Sequence, residues 1–215
     1  MKKTNLYAYL LILSFLMSSC ASEDNGNPMN SSEGNNVIVD PQSNTLVNGQ
    51  IETIIVKDLP ADPERTGAFT YFSLRNNSLI EGPGNNDWDI AFNSITLLTN
   101  SGVSGSGQGG GMVLTGENFE KLKVLPDDGW QIDKEGEPSL SSPSWYTYTG
   151  SEGNPPHTII PNPGVVLAIR TADNRYAKLQ IQSYYMGGAR IPRDGEASRY
   201  YTFRYQFQPN GTKNF

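Results

Sequence analysis

The feature that most constrains this chain is a stretch between residues 164 and 185 whose side chains alternate with period two on either side of a polar turn. Gly164 to Thr171 is β-branched and aliphatic, and Ala172-Asp173-Asn174-Arg175 is turn-forming. Tyr176 to Tyr185 then points Ala177, Leu179 and Ile181 one way and Lys178, Gln180 and Gln182 the other. A helix cannot present that pattern, so the stretch reads as an antiparallel hairpin. With its turn centred between Asp173 and Asn174, paired residue numbers sum to about 347. Further strands are expected at Ile51 to Val56, Ala68 to Leu74 and Tyr200 to Gln208, with a short terminal strand ending at Phe215. In Asp87 to Phe92, alternation puts Trp88, Ile90 and Phe92 on one face, with Asp87, Asp89 and Ala91 on the other. Only Glu117 to Leu125 has the look of a helix, and it is short. The expected fold is therefore all-β: a single-domain antiparallel β-sandwich or curled sheet with at most one short helix. An aromatic content of 10% supplies its core, and 22 glycines and 14 prolines supply its turns.

The first 48 residues follow a different rule. Lys2 and Lys3 precede an apolar run from Leu6 to Met17, which is shorter than the roughly 20 residues a membrane span requires, so residues 1–19 read as an export signal. Leu16-Met17-Ser18-Ser19-Cys20 resembles a bacterial lipobox, which makes Cys20 the expected lipid-attachment residue. Residues 20–48 are rich in Asn, Ser, Gly and Glu and read as a flexible stalk, leaving 49–215 as the β domain. Ala21-Ser22-Glu23-Asp24-Asn25 resembles the acidic tether of Bacteroidetes lipoproteins carried to the cell surface, so an outer-membrane anchor is expected.

Composition and motif geometry remove most chemistries. A formal charge of −6 argues against nucleic acid as a partner. One cysteine permits no intrachain disulfide, and one histidine cannot build a multi-histidine zinc site. The letters G-x-G-x-x-G occur between Gly105 and Gly110, but β-type residues follow where a phosphate cradle needs a helix N-terminus. Asp87 and Asp89 read as a solvated strand face, Asp127-Asp128-Gly129 as a turn, and His157 lacks a nucleophile elbow. No enzyme is expected.

Soft ligands are where the sequence becomes selective. Met29 lies in the stalk, so the β domain offers only His157, Met112 and Met186 as nitrogen or thioether donors. In the expected register His157 and Met186 fall at the open end of one hairpin, roughly 13 Å apart if the strands stay regular. Prolines at 155, 156, 161 and 163 let the chain bend and bring them closer. This geometry allows an iron clamp without demanding one.

Several motifs together resemble the HmuY family of Bacteroidetes haem-binding lipoproteins. They are Trp88-Asp89-Ile90-Ala91-Phe92, the glycine-rich stretch from Thr99 to Gly111, His157-Thr158-Ile159-Ile160-Pro161, Ile169 to Asp173, Tyr176 to Leu179, Ser183-Tyr184-Tyr185 and Tyr200 to Tyr205. The resemblance implies an all-β fold that holds haem between two finger-like loops and passes it to a TonB-dependent outer-membrane receptor, with host haemoproteins as the haem source. Relatives hold the iron through two His or two Met. This chain offers one His, so His157 with Met186 would be a mixed pair, and Met112 with Met186 is the other pair kept. A thioether favours ferrous iron, so a mixed pair implies redox-dependent binding. Tyr184, Tyr185, Trp145, Tyr146 and Tyr148 flank the ligands as flat partners for a porphyrin, and Arg190 and Arg193 are either propionate contacts or solvated. The competing expectation is a surface β-sandwich that binds a glycan or host protein without haem.

Overall fold

The computed structural model describes residues 51–84, 86–193 and 195–215. The expected export signal, Cys20 and the expected stalk lie outside them. Eleven strands are described: β1 (Ile54–Pro60), β2 (Thr70–Ser73), β3 (Ser78–Ile80), β4 (Ile90–Asn93), β5 (Thr96–Thr99), β6 (Gly110–Leu114), β7 (Tyr146–Tyr148), β8 (Ile159–Pro161), β9 (Val166–Arg170), β10 (Tyr176–Tyr185) and β11 (Ser198–Gln208). They form a five-stranded sheet in the order β1-β11-β10-β9-β6, a four-stranded sheet in the order β3-β2-β4-β5, and the separate ribbon β7-β8. Every strand pair is antiparallel, and the described residues contain no helix.

The two larger sheets face each other across an aromatic core. Phe72 and Phe92 of the small sheet meet Phe203 of β11 with ring centroids 5.7 and 5.5 Å apart, and Phe92 lies 5.0 Å from Tyr201. Tyr201 and Tyr205 are fully buried, and a buried hydroxyl needs a partner. Each reaches across the core, Tyr201 to the Ser94 carbonyl at 2.7 Å and Tyr205 to the Leu74 carbonyl at 2.9 Å. These hydroxyls fix how the two sheets sit on one another, which apolar contacts alone would leave slack.

The large sheet is covered on its second face too. There the segment 117–125 and the chain end pack over Met112, Ala168 and Lys178, so β9 is buried on both sides. This segment is the expected short helix, and it is instead a run of turns closed by an isolated bridge from Val124 to Asn214. The Asn118 side chain accepts the N–H groups of Glu120 and Lys121, a local bond that competes with a helix. The expected terminal strand is reduced to that same bridge.

The register of the β9–β10 hairpin lies one residue from the expected one, with Tyr176 opposite Arg170 and Ala177 opposite Ile169. Thr171 closes the loop by donating its N–H to the Arg175 carbonyl and accepting the Arg175 N–H on Oγ1, with Asn174 left-handed at φ 60°. The three-residue loop places Ile169 and Ala177 on the same core face, which a one-residue slip would have split.

Asp89 departs further from expectation, because it is buried. Its carboxylate accepts the N–H groups of Leu74 at 2.8 Å and Ala172 at 3.1 Å, tying the small sheet to the β9–β10 turn. Burial pushes its pKa up, against the lowering effect of those N–H donors. Asp89→Ala strands these donors in the interior, and at about 1–3 kcal/mol for each we expect a loss of roughly 3 kcal/mol. A lower urea midpoint at unchanged slope would show it.

The glycine-rich stretch is close-packed around Asn100. That side chain donates to the Trp88 carbonyl at 3.0 Å and accepts the Gly107 N–H at 2.9 Å. A Cβ on Gly107 would lie 2.8 Å from both Ala172 Cβ and the Asn100 carbonyl. Its glycines are there for close approach of backbone to backbone.

Candidate functional site

The β7–β8 ribbon and the β10–β11 connection meet beside the far end of β10. Tyr185 ends β10, and its hydroxyl accepts the Ile159 N–H of β8 at 2.9 Å. Arg190, in the connection that follows, donates through Nε at 3.2 Å and Nη2 at 3.0 Å to the Pro161 carbonyl at the end of β8. Met186 is the residue after Tyr185, and His157 lies two residues before Ile159, so both candidate ligands sit just beyond this junction.

His157 is exposed, at the end of the loop joining β7 to β8. The loop is fastened by its backbone: His157 N–H donates to the Gly150 carbonyl at 2.7 Å, Thr149 N–H to the Thr158 carbonyl, and His157 itself is left-handed at φ 50°. Its Nδ1 lies 2.6 Å from the Tyr148 hydroxyl, with the rings 6.0 Å apart. Nε2 makes no hydrogen bond among the described residues. With Nδ1 protonated and donating to the Tyr148 oxygen, Nε2 keeps a free lone pair and the imidazole fits an iron ligand. Met186 is 44% exposed, with its backbone N–H bonded to the Ala197 carbonyl at 2.9 Å. Tyr148 at 54% and Ile191 at 50% exposure flank the same junction.

The flat partners expected from sequence divide into two groups. Trp145, Tyr184 and Tyr185 are buried and belong to the foundation. The Trp145 and Tyr184 rings each pack against Tyr201, at 5.5 and 5.4 Å, and Trp145 Nε1 donates to the Ile95 carbonyl. Burial raises the hydroxyl pKa values of Tyr184 and Tyr185. Their rings are spent on packing, which leaves half-buried Tyr146 and exposed Tyr148 as the aromatic surface near the ligands. Arg190 likewise holds the two loops together, while the Arg193 side chain is exposed and unbonded among the described residues.

Met112 is elsewhere. It sits on β6 opposite Ala168, which lies opposite Lys178 of β10, and it lines a cavity of about 620 Å3 beside that edge strand. Met186 lies eight residues beyond Lys178, roughly 26 Å at strand rise. The register therefore separates Met112 from Met186, while His157 is tied toward the Met186 end of β10 through the Ile159–Tyr185 hydrogen bond. Sequence reasoning missed Tyr148 as the partner of His157, although the Tyr-x-Tyr pattern ahead of a Gly- and Pro-rich loop carried a signal for it.

The family model described as HmuY protein matches residues 66–205, well over half of the chain. The chain belongs to the HmuY family. Among solved structures it is similar to the apo HmuY analog of Tannerella forsythia at 15% identity, covering 74% of this chain and 96% of that one with a TM-score of 0.47. A protein of Bacteroides vulgatus, described as HmuY-like and heme-binding, matches at 18% identity over 71% and 89% with a TM-score of 0.46. Apo PinO from Porphyromonas gingivitis matches at 16% identity over 74% and 97% with a TM-score of 0.47. No curated protein sequence matches. As a HmuY-family chain it carries the family's all-β fold, and its ligand candidates are this chain's own.

Proposed function

We propose that this protein is a membrane-anchored lipoprotein that binds haem between the β7–β8 loop and the β10–β11 connection and delivers it to a TonB-dependent receptor. The observation that carries the reading is the His157 imidazole, held by Tyr148 on one nitrogen and open on the other, at the same end of β10 as an exposed methionine. Membership of the HmuY family supports it. His157 and Met186 would supply the axial donors, a mixed set that tolerates both oxidation states of iron and favours the ferrous one. Tyr148 holds the imidazole plane, Tyr146 and Tyr148 offer apolar surface, and Arg193 remains available for a propionate. Bound haem would supply the iron and the visible absorbance; the chain supplies grip, orientation and a docking surface.

The test is titration of the lipid-free chain with haemin, before and after reduction by dithionite. The expected result is a saturable one-to-one shift of the Soret band in both states, with tighter binding after reduction. Unchanged porphyrin absorbance in both states would overturn the proposal and favour the glycan- or host-protein-binding alternative.

A further inference from the structure

At the opposite end of the large sheet the structure holds a second concave site. Arg170 is the last residue of β9 and pairs with Tyr176, the first residue of β10, so it lies nine residues, or about 30 Å, along β10 from Tyr185. Beside it is a cavity of about 300 Å3 lined by Ser101, Gly102, Gly107, Gln108, Gly109, Ile132, Arg170 and Asn174.

The Arg170 guanidinium is unusually poor in partners. Nη2 donates to the Gly109 carbonyl at 3.1 Å, and buried Nε has no hydrogen-bond partner. No carboxylate lies within 4.0 Å of it among the described residues, although Asp62, Glu120, Asp127 and Asp173 each pair with another cation. A half-buried guanidinium is always charged, and leaving it without a counter-charge is costly. Its place against β6 depends on Gly110, the residue opposite it, where a Cβ would lie 3.1 Å from Nη2.

The rest of the lining points the same way. Among the described residues that line this cavity, Arg170 alone carries a charged side chain. Gln108 and Asn174 are exposed and their side-chain amides make no hydrogen bond among the described residues, so both have N–H groups to offer. Their positions are fixed through the backbone, Gln108 N–H to the Ala172 carbonyl at 2.8 Å and Asn174 N–H to the Thr171 carbonyl at 3.0 Å. A cation and two amide donors around one concave surface have the chemistry of an oxyanion receptor, where charge-assisted bonds to a planar guanidinium give both strength and direction.

We propose that the Arg170 cavity is a binding site for an oxyanion group, a phosphate or a carboxylate, recognised by Arg170 with Gln108 and Asn174. The site is independent of the haem reading, since it lies at the other end of the sheet and shares no residue with it.

The test follows backbone amide NMR shifts of the full β domain during titration with inorganic phosphate and, separately, with acetate, against sodium chloride at equal ionic strength. The expected result is a saturable shift confined to Gly107–Gly109, Arg170 and Asn174 for at least one of the two anions and none for chloride. The stronger arm tells phosphate from carboxylate. Arg170→Gln should weaken binding at least tenfold, and Gln108→Ala or Asn174→Ala several-fold. Should Arg170→Gln fail to fold, the two exposed amide variants decide alone. Shifts that never saturate for either anion, or variants that all bind like the parent, would overturn the assignment.

Discussion

Replacing His157 by alanine should weaken haem binding by at least about 100-fold, the largest loss expected of any substitution in the β7–β8 loop. His157 is the one histidine of the chain, so no second imidazole can take its place. The magnitude is set by comparison. Removing only an outer-shell partner of a ligating imidazole costs about 10–100-fold, and losing the ligand itself must cost more. Tyr148→Phe removes the hydroxyl 2.6 Å from Nδ1 while keeping the ring, so about a tenfold loss is expected there. Met186→Ala should separate the oxidation states, because a thioether is a soft donor that contributes more to ferrous than to ferric iron. Affinities from Soret titrations in both states check all three. Met186 and Tyr148 are exposed, so neither change disturbs the core. A His157→Ala protein that keeps the parent spectrum and affinity in both states would remove the imidazole from the site.

Strand alternation was legible wherever one sheet face is apolar and the other polar, as in Tyr176 to Tyr185, whose limits match β10. It was misleading where both faces are buried. Asp87 to Phe92 alternates in sequence, yet Asp89 faces inward because two backbone N–H groups need an acceptor there, a demand set by Leu74 and Ala172 far along the chain. Glu117 to Leu125 looked helical locally, but its carbonyls are claimed by Lys178 from another strand. At the candidate site, the scarcity of soft donors left His157, Met112 and Met186 as candidates without any coordinates, and only the strand register sets Met112 apart from Met186. What could not be read was which aromatic residues remain at the surface. Trp145, Tyr184 and Tyr185 flank the ligands in sequence, and their burial follows from packing, Trp145 and Tyr184 against Tyr201 and Tyr185 against Tyr184. Tyr148 meets His157 only because β7 pairs with β8, with Tyr148 opposite Ile159.

Lys178 carries the second large prediction. Its side chain is 0% exposed, with Nζ donating to the carbonyls of Phe119 at 2.8 Å and Leu122 at 2.7 Å. The ammonium also lies 4.8 Å from the Phe119 ring centroid and 5.3 Å from that of Phe215. It thus pins the 117–122 turns and the chain end onto the large sheet. Lys178→Ala leaves two carbonyls without a donor and opens a void, so a loss of about 3 kcal/mol is expected, seen as a lower urea midpoint. Lys178→Met fills most of the volume and isolates the charge. Burial lowers the Lys178 pKa to about 8, with Lys123 and Arg204 acting in the same direction and Glu120 against them. Folding therefore favours the neutral amine, whereas the unfolded chain keeps its proton up to about pH 10.4. Between these values the unfolded state binds more protons, so stability from Lys178 rises with pH and is least below pH 8. The neutral amine still has two N–H groups for the two carbonyls. The parent should thus gain stability over Lys178→Met between about pH 8 and about pH 9.5, below the range where buried Tyr201 and Tyr205, both with raised pKa values, begin to ionise in the unfolded chain. A parent-minus-variant stability difference that stays constant or falls over that interval would mean that folding does not disfavour the Lys178 ammonium, overturning the lowered pKa.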